Sequence, residues 1–415
     1  MGMNPFTQKA PPVYDGIVDF KTLATKPYNK NTVDPYTRLR VILMNGTEYE
    51  SIWNSHYFSR RCPDNDLRRE LALMRRVEQQ QQKRIAALKP ANETILETTI
   101  GYEQLAVDLT ATLAAREKDK YVKAALNFAL LEDFDHLYRY ADLLEGERGI
   151  KAERIIGKYT EIMPGRPTIA EHRHPFDDIR RHINNKTAHP FTKLSIGIIT
   201  AAEQQTLNYY MNIGAFYDTE QGRKLYTEIG MIEEQHVSHY GSLKDTNVTS
   251  LECLLMHEYT ECYLYYSCYM TETYERIKLL WEEMFEQELA HLHKAAELLK
   301  KYEKKTWQRI IPEATFPAVL KLGPMKEYVR KVLTTVHMTS EHEDYVSIDK
   351  VPDDSRFHHY QAQALGKVKQ VPTHLVIDNY ISKKGRDYRY QVKAHPVPEL
   401  RNRKADNVEV GRTRA

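Results

Sequence analysis

The chain has 415 residues, a formal net charge of +2, 41% hydrophobic and 28% charged residues. These values suit two or three globular domains and give no global positive field for nucleic acid. Four cysteines without a Cys-x-x-Cys pair argue against a disulfide framework or a structural zinc site and fit a cytoplasmic protein; the polar stretch from Met1 to Pro12 lacks a signal peptide's apolar core, and no run is long enough to span a membrane.

Residues 1–33 are polar, rich in Pro, Lys and Asn, and read as an extended arm. Asp34-Pro35 opens a first helix, with Asp34 as N-cap and Pro35 at the first helical position, running to about Phe58. Asn45-Gly46 within it is a turn signal that weighs against continuity. Further helices are expected at about 66–88, 92–115 and 120–144. Residues 146–192 are interrupted by Gly and Pro, so 148–189 is expected to link two domains. Four more helices follow, at roughly 193–217, 220–241, 250–272 and 274–302, the third opened by the capping box Thr249-x-x-Glu252. In the extension 303–415, Thr373–Ile381 and Asp387–Lys393 read as the two strands of a β-hairpin, and the end is locally basic.

An internal duplication organises the helices. A shift of 155 residues lays Glu48 on Glu203, Glu78 on Glu233, Glu103 on Glu258 and Asp133 on Glu288, so the 30–25–30 spacing of acidic residues occurs twice. The expected fold class is therefore all-α: two tandem four-helix bundles, 34–147 and 190–302, followed by the C-terminal extension. The second copy carries two Glu-x-x-His motifs, Glu233-x-x-His236 and Glu288-x-x-His291. The first has Gln81 and Asp133 where the second has His236 and Glu288, so Glu48, Glu78, Gln81, Glu103, Asp133 and His136 are expected to form a degenerate site.

Residues three apart share a helix face, so each Glu-x-x-His aims a carboxylate and an imidazole at one point. Two such motifs plus Glu203 and Glu258 supply four carboxylates and two imidazoles. That donor set suits two metal ions, because carboxylates bridge cations and offset their charge. The step from Glu233 to Glu258 is only 25 residues. If the two hairpins of one bundle are related by a two-fold axis, their connector must climb about 24 Å with a reach of about 30 Å, which is tight.

These residues resemble the ferritin-like superfamily and, within it, the rubrerythrin-like di-iron and di-manganese carboxylate proteins. The resemblance implies ligands Glu203, Glu233, His236, Glu258, Glu288 and His291, with Glu233 and Glu288 among the bridging carboxylates. It adds Glu261 as an extra ligand candidate, and it implies two iron (or manganese) ions as the cofactor. Tyr210 and Tyr265 lie on the ligand stripes and are candidates for packing or for relaying electrons and protons. The implied activity is a dinuclear-metal oxidoreductase acting on peroxide or dioxygen. A metal-storage or structural protein with a vestigial site, and a substrate-specific di-iron oxygenase, are the alternatives. There is no rubredoxin-like Cys-x-x-Cys module, so an external electron-donor protein is expected, together with homo-oligomerisation.

Overall fold

The computed structural model describes residues 2–385 apart from 158, 368 and 369. It is mostly helical, with one small two-stranded sheet. The long helices are α1 (Pro35–Arg61), α2 (Asn65–Ala86), α3 (Ile95–Arg116), α4 (Lys120–Arg148), α5 (Pro190–Ile213), α6 (Glu220–Gly241), α7 (Ser250–Thr271) and α8 (Glu275–Glu303). Their starts are set by local capping. The Asp34 side chain accepts from Tyr36 N ahead of Pro35, and Thr94/Glu97 and Thr249/Glu252 form full capping boxes at α3 and α7. Gly149, in the left-handed region, closes α4.

Asn45-Gly46 does not break α1. A Cβ on Gly46 would lie 2.7 Å from Gln205 Nε2, and the Gln205 amide accepts from Asn45 Nδ2 and donates to Ile42 O. The glycine serves close approach of two helices rather than a turn.

The helices group into two compact units, and the grouping differs from the expected tandem bundles. Unit 1 comprises residues 1–93, 183–205 and 244–322; unit 2 comprises 94–182, 206–243 and 323 onward. Unit 1 therefore pairs the hairpin α1–α2 with the hairpin α7–α8, with α1 packed on α7 and α2 on α8. Unit 2 holds α3–α4 together with α6, and α5 is divided between the units after Gln205. The stretches 34–147 and 190–302 are thus each divided between the units. The boundaries at Glu93/Thr94 and Leu243/Lys244 fall inside connectors 87–94 and 242–249, eight residues each. Eight extended residues reach at most about 28 Å. The tight climb needed to close a bundle from consecutive hairpins is avoided, because each connector leaves its unit.

The arm 1–33 packs within unit 1: Phe6 stacks on Trp307 at 4.0 Å between ring centroids, and Phe316 N donates to Met3 O. The 148–189 stretch is more than a linker, since up to His182 it belongs to unit 2. Gly165 lies against α4, where a Cβ would meet Leu131 O at 2.4 Å, and from that contact Arg166 and Arg173 run into the interior with both side chains buried.

In the C-terminal extension, α9 (Lys326–Val332) precedes an antiparallel pair, β1 (Met338–Glu341) and β2 (Asp344–Ser347). Helices α10 (Arg356–Leu365) and α11 (Pro372–Lys384) follow. The expected strand Thr373–Ile381 is instead most of α11: Pro372 at its first turn and Gly385 in the left-handed region bound a helix that buries Val376, Ile377 and Tyr380 against α4 and α6. Its β-branched residues favoured a strand locally, and packing of one helical face overrode them. The second expected strand, Asp387–Lys393, lies outside the described residues. No helix is long and apolar enough to cross a membrane, among the described residues.

Candidate metal centres

The acidic positions of the duplicated pattern are all buried, yet they do not gather as the sequence copies suggest. Glu233 and His236 lie in unit 2, whereas Glu258, Glu288 and His291 lie in unit 1. Unit 1 takes one hairpin's Glu pair from each copy, Glu48 with Glu78 and Glu258 with Glu288, whereas unit 2 takes Glu103 and Asp133 from the first copy and Glu233 from the second. The expected degenerate set is divided likewise: Glu48, Glu78 and Gln81 stand in unit 1, and Glu103, Asp133 and His136 in unit 2. Glu203 is buried on α5, in the stretch that groups with unit 1.

In unit 2, Glu103 comes from α3, Asp133 and His136 from α4, and Glu233 and His236 from α6. Glu103, His136 and Glu233 form one triad of donor atoms within 4.8 Å of one another, and Asp133, Glu233 and His236 form a second. Glu233 is common to both. Its Oε1 lies 3.0 Å from His136 Nδ1 and its Oε2 3.4 Å from His236 Nδ1, so the carboxylate presents one oxygen to each imidazole. Asp133 Oδ1 is 3.1 Å from His236 Nδ1.

The other ring nitrogens face carboxylates that the sequence reading missed. His236 Nε2 is 2.8 Å from Glu132 Oε2, and His136 Nε2 is 3.7 Å from Glu171 Oε2. Glu132 is in turn held by Arg173 and by Arg166, the latter at 3.3 Å, and Glu171 by Arg139 at 2.9 Å. All of these side chains are buried. A carboxylate behind an imidazole fixes its tautomer and raises its basicity, the usual support for a metal-ligating histidine. The run Glu132-Asp133-x-x-His136 held a signal: the residue before the ligand position is also acidic. Arg166, Arg173 and Glu171 come from the irregular 148–189 stretch, where no periodicity marks a core position, and Arg139 comes from α4.

In unit 1, Glu48 comes from α1, Glu78 and Gln81 from α2, Glu258 and Glu261 from α7, and Glu288 and His291 from α8. Two triads again share one carboxylate, here Glu258: Glu78–Glu258–His291 and Glu258–Glu261–Glu288. The shared residue is thus Glu258 rather than the expected Glu288. His291 Nδ1 lies 3.3 Å from Glu288, 3.8 Å from Glu258 and 3.9 Å from Glu78. Gln81 stands where unit 2 has an imidazole, and its Nε2 donates to Glu288 Oε1 at 2.6 Å. An amide N–H cannot ligate a metal, so this cluster has one imidazole among five carboxylates. Glu261 joins the cluster.

The two tyrosines occupy equivalent places. Tyr265, seven residues after Glu258, donates to Glu48, and Tyr210, seven residues after Glu203, donates to Glu103. Burial pushes both phenols well above their ordinary value, with Glu48 and Glu103 as the next contributors.

Charge balance separates the clusters. In unit 1, burial and then the neighbouring carboxylates push Glu48, Glu258 and Glu261 well above the ordinary carboxylate value; burial also raises Glu78, against the pull of His291. In unit 2, burial alone would raise Glu233, but hydrogen bonds from His136 and His236 hold it down at about 2. Burial opposes a charged His136, yet Glu171 and Glu233 raise it well above the ordinary imidazole value. Burial raises Glu103 and Asp133.

The donor sets fit hard or borderline cations. In unit 1 neither oxygen of Glu258 accepts a hydrogen bond, and Glu48 Oε2 and Glu78 Oε2 are also buried without one. Buried carboxylates converging in this way are costly unless protonated or neutralised by a cation. Comparison of the chain with protein-family models, with curated proteins and with solved structures gives no match.

Proposed function

We propose that the chain is a dinuclear-metal carboxylate oxidoreductase acting on peroxide or dioxygen, with an iron or manganese centre in each unit. The observation that carries this reading is the shared carboxylate: two donor triads meet at Glu233 in unit 2 and at Glu258 in unit 1. Two cation positions joined by a bridging carboxylate are what a dinuclear helix-bundle site requires. The rubrerythrin-like resemblance of the Glu-x-x-His motifs points the same way. Bound iron or manganese would supply the redox equivalents and Lewis acidity for reducing an O–O bond.

In unit 2, Glu103, Asp133, His136, Glu233 and His236 would hold the ions, and Glu203 stays a candidate ligand. In unit 1, Glu48, Glu78, Glu258, Glu261, Glu288 and His291 would do so. Around them, Glu132 and Glu171 orient the imidazoles, with Arg173 and Arg166 paired to Glu132 and Arg139 to Glu171. Tyr210 and Tyr265 each keep a phenolic proton on a cluster carboxylate, at Glu103 and Glu48, where a reduced oxygen species would need one.

The test is reconstitution of the full chain with iron or manganese, followed by metal analysis and a peroxide-consumption assay with and without a reductant. Two or more ions per chain with turnover supports the proposal. A chain still metal-free after reconstitution sinks it. Tight metal binding with no consumption of peroxide or dioxygen would reject the oxidoreductase and leave a metal-binding protein.

A further inference from the structure

Unit 1 contains a cavity of about 340 Å³ between α1, residues 183–185, α5, the connector after Lys244, and α7. That volume lies at the lower end of the ~300–1,000 Å³ typical of small-molecule sites. Its apolar wall includes Phe58, Ile196, Val248, Leu254 and Met256.

Two lysines reach its lining, and they differ. Lys244 is engaged, with its ammonium 3.0 Å from the Glu50 carboxylate. Lys193 donates to the Asn185 carbonyl at 3.0 Å and makes no ion pair among the described residues. A half-buried ammonium at an apolar cavity, with a carbonyl as its partner, is a ready counter-charge for an anion with an apolar body.

The inner wall borders the carboxylate cluster. His257 lines the cavity, and its Nε2 lies 3.4 Å from Glu261 Oε2. Ser51 also lines it, and its hydroxyl stabilises the Glu78 carboxylate. One layer of side chains therefore separates the cavity from the cluster.

We infer that this cavity binds a small organic carboxylate, its charged end on Lys193 and its apolar body along α1 and α7, with His257 and Ser51 between it and the unit 1 cluster. The inference does not depend on the oxidoreductase reading, because the cavity and its lysine need no metal. If that reading holds, the bound carboxylate is the candidate substrate or effector of the unit 1 centre.

The experiment uses the full chain, metal-free and metal-loaded, titrated by calorimetry with octanoate, and with octan-1-ol as the uncharged match. Octanoate should bind at one site per chain and more tightly than the alcohol. Lys193→Gln should weaken octanoate roughly 10- to 100-fold, the worth of a hydrogen bond to a charged group, and leave the alcohol unchanged. Gly197 also lines the cavity, and a Cβ there meets Thr260 at an ordinary 3.6–3.7 Å. Gly197→Leu should therefore fold, fill the space and abolish binding of both probes, with unchanged circular dichroism as the check on folding. The inference is overturned if octanoate does not bind to the metal-free chain, or if binding survives both substitutions. Octanoate binding without peroxide turnover would sink the redox reading alone.

Discussion

The two clusters draw on the same sequence pattern but balance charge in different ways. Unit 2 has two imidazoles, and both see Glu233; each is backed by a second carboxylate that is paired to an arginine. Unit 1 has one imidazole, His291, in its donor groups with Glu78, Glu258, Glu261 and Glu288, an amide where the second would stand, and His257 only at its edge beside Glu261. In unit 2 the charged side chains pair with one another, whereas in unit 1 burial and the neighbouring carboxylates raise Glu48, Glu258 and Glu261. Preorganisation of the ligands by their surroundings favours metal affinity, so unit 2 should be the tighter centre.

The largest expected effect breaks the comparison at its stronger side. His236→Ala removes an imidazole and one of the partners of Glu132, and should lower unit 2 metal affinity by more than ~100-fold, beyond the 10–100-fold typical of supporting residues. Manganese titration should then show the unit 1 event alone, and His291→Ala should show the converse. Glu132→Gln is milder: it keeps the volume but removes the charge behind His236, and affinity should fall about 10–100-fold. Unaltered affinity would mean that the imidazole needs no support.

Gln81→His should narrow the difference from the other side. It gives unit 1 a second imidazole and the full Glu-x-x-His, and should tighten manganese binding there, read as convergence of the two titration steps. A weaker unit 1 would show that Gln81 is needed as the hydrogen-bond donor to Glu288.

Both centres should take up metal more tightly as pH rises, with affinity gaining up to about tenfold per pH unit for each proton displaced. The protons come from carboxylic acids in unit 1, whose values are raised, and from His136 in unit 2. Stability of the metal-free chain follows from the same shifts. The raised His136 contributes fully below the imidazole's ordinary 6.5 and loses its contribution as pH climbs through the raised value. The lowered Glu233 contributes fully above 4.5 and loses it only as pH falls through about 2. The raised unit 1 carboxyls favour the folded state while protonated and oppose it as pH rises through their raised values. Thermal melting of the metal-free chain should therefore weaken from mildly acid to alkaline pH, and bound manganese should flatten that slope.

The smallest effects are at the phenols. Tyr265→Phe and Tyr210→Phe each remove one donor to a buried Glu and should cost about 1–3 kcal/mol of stability in the metal-free chain. The cost should be nearly lost once metal neutralises that Glu.

Local structure was legible because its signals are local. Asp34-Pro35 and Thr249/Glu252 marked helix starts through the orphan N–H groups they satisfy, and the eight long helices lie within a few residues of their expected places. Gly46 and the Thr373–Ile381 segment misled because their conformations are decided by distant partners: Gln205 for the glycine, and a buried helical face for the β-branched run. The ligand types and the 30–25–30 rhythm were likewise readable, since residues three apart must share a helix face. Glu171 and the buried arginines were not, because a charge partner roughly 30 to 40 residues away leaves no period in the chain.

The sequence by itself determined the helices, the repeated spacing of acidic residues and the carboxylates and imidazoles that could hold a metal. Which Glu pair meets which was decided by tertiary structure alone. A 155-residue repeat says that two halves are alike, but it carries no information on whether a hairpin closes on its neighbour or on the other half. Eight-residue connectors at 87–94 and 242–249 made closure on the neighbour tight, and the chain divides at those two places. As a result, the histidine of Glu288-x-x-His291 stands beside Gln81, and the histidine of Glu233-x-x-His236 shares its cluster with His136.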